Sequence, residues 1–72
     1  MEIDSIIETL EGKFVGRPIS KQTPDKLIHG VELIDDRLCC IHFAENGKGK
    51  ITKSVMECAS ELDIQIDENL VF

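Results

Sequence analysis

Two histidines and three cysteines carry the most specific chemistry in this chain. Four of them, His29, Cys39, Cys40 and His42, lie in one short stretch. Asp35-Asp36 separates two apolar-rich runs, 27–34 and 37–44, and reads as a two-residue hairpin turn. That turn places Leu33 opposite Leu38, Val31 opposite Cys40 and His29 opposite His42. Side chains two apart on a strand point the same way, so His29, Cys40 and His42 share a face. Imidazole and thiolate are zinc's preferred ligands, and water, another subunit or Cys58 would supply the fourth. The spacing matches no closed zinc motif, however. The competing reading makes Cys40 a small buried hydrophobe and puts the histidines at a sheet margin. No cofactor is expected apart from this speculative zinc.

Other chemistries find less support. Cys39 and Cys40 point to opposite faces of a strand, and a strand interior is a poor place for a reactive thiol. Cys58, on a helix, is expected to be half-buried. Gly47-Lys48-Gly49-Lys50-Ile51-Thr52 lacks both the four-residue spacing and the Ser or Thr directly after lysine that a phosphate loop requires. There is no Gly-x-Ser-x-Gly elbow, and the serines are accounted for by caps, loops and helix surface. Adjacent Asp35 and Asp36 point apart in a tight turn. A chain this short has little room for an enclosed pocket, and a non-enzymatic role is expected.

A binding surface remains. Phe14, Arg17, Ile19 and Lys21 lie on an arm that Pro18 keeps from regular pairing, and Arg with aromatic residues commonly anchors interfaces. Lys48 and Lys50, on a solvated hairpin tip, are suited to an anion or an acidic partner. Against this stands a core reading for Phe14 and Ile19, because a small domain needs all its large apolar groups.

The elements that must position these residues follow from local pattern. Ser5 and Glu8 have capping-box spacing, Ile3, Ile6, Ile7 and Leu10 form a stripe, and Gly12 reads as a stop, giving a helix over 5–12. Residues 13–20 read as an irregular edge strand and 21–25 as a loop. Asn46-Gly47 marks a second hairpin, with a brief strand at 50–52. Ser54 and Glu57 open a second helix whose apolar face is Val55, Met56, Ala59 and Leu62. Residues 63–67 alternate as a final strand or extended tail, and Leu70-Val71-Phe72 ends the sequence on apolar residues. The expected fold is α+β: one domain over 1–72, with a small antiparallel sheet of three to four strands and two short helices packed on one face.

Composition narrows the function class. The 72 residues are 42 % hydrophobic but hold only three Phe and no Tyr or Trp, so the core is thin and aliphatic. Help from a protein partner or a homo-oligomer is expected. The net charge of −6 disfavours direct nucleic-acid binding. No run is long enough to span a bilayer. The acidic start Met1-Glu2-Ile3-Asp4 lacks the features of a secretory signal, and an odd number of cysteines argues against a disulfide scaffold. A cytoplasmic location is expected. The chain resembles in kind many small bacterial or phage-borne proteins. The reading is a small acidic protein-interaction module: a regulator, inhibitor or accessory subunit. One alternative is an acidic inhibitor that mimics nucleic-acid charge against a nucleic-acid-binding enzyme. The other is a metal- or thiol-dependent sensor using His29, Cys40 and His42.

Overall fold

A computed structural model describes residues 2–67 and 69. The order is α1 (Ile3–Phe14), β1 (Pro18–Ser20), β2 (Thr23–Leu27), β3 (Gly30–Ile34), β4 (Arg37–Phe43), β5 (Lys50–Ser54) and α2 (Val55–Leu62). This is a small α+β domain in which two helices pack against antiparallel sheets. β1 and β2 form one hairpin, and β3, β4 and β5 form a separate sheet in that spatial order.

The β3–β4 hairpin has the register that the Asp35-Asp36 turn implies. Val31 pairs with Cys40 and Leu33 with Leu38. Both turn aspartates have positive φ, 49° and 62°, as a two-residue turn matched to strand twist requires. Aspartate tolerates this left-handed conformation better than most residues, though at some cost. β5 then pairs with the other side of β4, placing Lys53 beside Cys40 and Ile51 beside His42. Its connection to β4 is not a two-residue Asn-Gly turn. Residues 44–49 form a longer loop in which Gly47 and Gly49, but not Asn46, take positive φ.

One face of the three-stranded sheet faces the core. Val31, Leu38 and Cys40 meet Ile6, Leu10 and Phe14 of α1, Val55, Cys58 and Ala59 of α2, and Ile19 and Ile28 from the β1–β2 region. The opposite face carries Glu32, Cys39, Ile41, Phe43, Lys50 and Thr52, as the pairing register requires. There Lys50 reaches Glu32 at 3.0 Å. The two flank β4 diagonally, so the ion pair spans the row holding Ile41, which is only 2 % exposed. Long charged side chains thus cover an apolar residue with their stems.

Several local expectations are corrected. α1 starts at Ile3, with Glu2 as an N-cap that makes no side-chain cap bond, so Ser5 and Glu8 form no capping box. Ser5 lies inside the helix, and its carbonyl accepts from the Thr9 hydroxyl at 2.9 Å. Gly12 does not stop the helix. Burying Phe14 completes the Ile6–Leu10–Phe14 row at four-residue steps, and the chain reverses at Gly16, where φ is 89°. The 21–25 loop is largely strand β2, with Pro24 on a two-stranded edge where its missing donor costs little. Residues 63–67 are not a strand. Asp63 ends α2 in the left-handed conformation, and Ile64 and Ile66 pack against the core from an irregular segment. Lys13 fastens that segment to α1 by donating to the Gln65 carbonyl at 3.1 Å. In α2, Ser54 caps as expected, accepting from the Glu57 amide at 3.2 Å. Cys58 takes the core position instead of Met56, which is exposed. Leu70, Val71 and Phe72 lie outside the described residues.

Phe14 is fully buried in the core, so Phe14→Ala should lower unfolding stability by about 3–5 kcal/mol in urea titration. Val15→Ala, at an exposed neighbour, should change it by less than about 0.5 kcal/mol. Asp36→Gly should raise stability by about 0.5–1 kcal/mol by relieving the left-handed backbone, read from the same titration.

Candidate functional site

The distinctive side chains gather where β4 ends. His29, one step beyond the last β3–β4 pair, meets His42 across the hairpin with ring centroids 4.9 Å apart. Phe43 stacks on the His29 ring with centroids 5.8 Å apart. Backbone contacts fix both imidazoles. His42 Nδ1 lies 2.8 Å from the Leu27 carbonyl oxygen, which can only accept, so Nδ1 carries the proton. His29 Nδ1 accepts from the Phe43 amide at 3.1 Å, so that nitrogen is bare and the neutral ring holds its proton on Nε2. In the neutral pair, only His42 Nε2 is left with an uncommitted lone pair.

This arrangement does not assemble the metal set expected from sequence. Among the described residues, no group of three or more His, Cys, Asp and Glu is placed to hold a metal ion. The histidines lie at the open end of the hairpin. Cys40 lies inside the core at 0 % exposure. Cys58 contacts the Ile19 carbonyl at 3.9 Å. The neighbouring Cys58 side chain, with burial added, pushes the Cys40 thiol well above its ordinary range. It is a neutral core group, not a ready thiolate. Burial also raises the Cys39 thiol, against a smaller opposing effect from Arg37. All three cysteines are free.

The interface residues expected from sequence divide. Phe14 and Ile19 are core residues at 0 % and 2 % exposure, so neither is available to a partner. Arg17 and Lys21 are at the surface. The Lys21 backbone amide is held by Glu61 at 2.6 Å, and the same carboxylate binds Lys53. Lys50 is engaged with Glu32, while Lys48 stands exposed on the 44–49 loop, its amide bound to Asn46 Oδ1 at 2.9 Å.

A groove of about 560 Å³ lies between the β1–β2 hairpin and the β4–β5 hairpin. Asp25 and Lys26 form one wall, the 44–49 loop with Lys50 the other, and His42 and Ile51 also line it. Sequence reasoning missed Leu27, Phe43 and Ile51. These are 41 %, 43 % and 42 % exposed, and each is linked to one of the histidines. Leu27 supplies the carbonyl bound by His42, Ile51 pairs with His42, and Phe43 binds His29. Their alternation looks like ordinary strand pattern. β2 and β3 belong to separate sheets joined through Ile28 and His29, so neither strand covers them.

Comparison with protein-family models, curated proteins and solved structures returns no match for this chain. No helix among the described residues is long and apolar enough to cross a membrane.

Glu61 links three elements through charge. The Lys21 amide, then the Lys53 ammonium, hold its carboxyl below the usual carboxylate range. A depressed carboxylate stabilises the fold above its unfolded-state value and loses that contribution as pH falls through its folded one. The acid limb of the stability curve should therefore be shallower in Glu61→Gln than in the wild type, measured by urea titration between about pH 6 and 2.

Proposed function

We propose that this protein is a small non-enzymatic protein-interaction module that docks a partner at the histidine end of β4. Exposed Phe43 carries the reading. The chain has three Phe, and of the two described, Phe14 fills the core while Phe43 stands in solvent against an imidazole. An exposed aromatic stacked on an imidazole, close to a groove with polar walls, resembles the centre and rim of a binding surface. The fitting occupant is a protein segment that presents an apolar anchor to Phe43. It would also offer a donor to His42 Nε2. Regulator, inhibitor and accessory subunit are all roles of this class. Three free thiols suit a reducing, cytoplasmic setting.

Charge mimicry is the weaker alternative. The helices hold Asp4, Glu8, Glu11, Glu57 and Glu61 against Lys13 alone. Two of these carboxylates are committed within the fold, Glu11 to the Val31 amide and Glu61 to Lys53 and Lys21. A sensor built on His29, Cys40 and His42 has less support, since Cys40 is inside the core.

The test is capture from host lysate with three tagged forms: wild type, Leu27→Ser/Phe43→Ser, and Arg17→Ala as a surface control. A partner held by wild type and Arg17→Ala, and reduced at least about tenfold by the double variant, is the expected result. Equal capture by all three, or none by any, would reject docking at this end.

A further inference from the structure

The two edges of the three-stranded sheet are treated differently. At the β3 edge, the Glu11 carboxylate of α1 accepts from the Val31 amide at 3.2 Å. The fit there is close, since a Cβ on Gly30 would lie 3.0 Å from the same carboxylate. β5 forms the other edge and, among the described residues, pairs only with β4. Lysines commonly guard such an edge, because a second strand would have to bury their charge. Here both are drawn back over their own domain, Lys50 to Glu32 and Lys53 to Glu61. Ile51 and Thr52, between them, are exposed.

We propose that β5 is a self-association edge, and that a second copy of this chain pairs with it antiparallel about Thr52. The sequence Lys50-Ile51-Thr52-Lys53-Ser54 is self-complementary in that register. Lys50 falls opposite Ser54 of the second copy, Ile51 opposite its Lys53, and Thr52 opposite its Thr52. No two lysines are directly opposed, and a Thr–Thr cross-strand pair is favourable. The isologous contact closes on itself and joins two three-stranded sheets into one of six strands. It uses main-chain hydrogen bonding, as in strand addition generally. Two five-residue strands form a small interface, so the dimer is weak and reversible. Each copy carries a net charge of −6, so added salt strengthens association by screening the repulsion. This surface is independent of the docking reading for the β4 end.

Sedimentation equilibrium of the intact chain tests the proposal, from micromolar concentrations up to roughly 1 mM, at low and high salt. The expected mass approaches twice the monomer value at the top of the range and does so earlier in high salt. Thr52→Lys and Thr52→Glu each set like charges against themselves across the axis. Both should abolish the dimer while leaving the circular dichroism of the monomer unchanged. Thr52→Cys should give a covalent dimer on mild oxidation, providing a readout even if a charged variant folds poorly. Monomer at every concentration and salt, with no cross-link from Thr52→Cys, would overturn the proposal. So would a dimer that survives both charged variants. Loss of the dimer only in Leu27→Ser/Phe43→Ser would move self-association to the histidine end and also overturn it.

Discussion

The register of β3 against β4 is the constraint on which the rest of the structure depends. Side chains alternate strictly along a strand, so a slip of one residue would exchange the two faces. Val31, Leu38 and Cys40 would leave the core, and Glu32 and Cys39 would enter it. Asp35 and Asp36 hold the register by accepting a left-handed backbone at both turn positions. Everything packed on that face takes its position from this pairing, including the Ile6–Leu10–Phe14 row of α1 and the Val55–Cys58–Ala59 surface of α2.

A thin aliphatic core explains how the remaining polar contacts are used. With one described Phe inside, the domain relies on side-chain ties between elements. Glu61 joins α2 to β5 and to the turn after β1, Lys13 joins α1 to the segment after α2, and Glu11 joins α1 to the edge of β3. Only Lys53–Glu61 among these is an ion pair, and polar ties near the surface contribute little individually. Their effect here is to fix where short elements lie when hydrophobic contact alone leaves latitude. The Glu32–Lys50 pair adds cover for Ile41 on the face opposite the helices.

The histidine end shows how one local divergence creates a surface. His29 and His42 are brought opposite each other by the hairpin, but the carbonyl of Leu27 and the amide of Phe43 decide which nitrogen carries each proton. These backbone partners give the two neutral rings complementary tautomers, which leaves a single nitrogen with an uncommitted lone pair.

Sequence by itself determined the central hairpin, its turn and its register, because alternating apolar residues around Asp35-Asp36 admit only one pairing that keeps a continuous apolar face. It also determined the Ser54 start of α2, where a hydroxyl beside a helical run satisfies a free amide locally. The α+β class followed from those two elements. Only the tertiary structure decided that Phe14 extends α1 past Gly12, since the gain from burying a ring exceeds the local cost of a helical glycine. Tertiary packing also chose Cys58 over Met56 for the core and parted Cys40 from the histidines. It left Leu27, Phe43 and Ile51 exposed around the end of β4. Periodicity reports that a residue could be buried, whereas burial itself depends on which other element arrives to cover it.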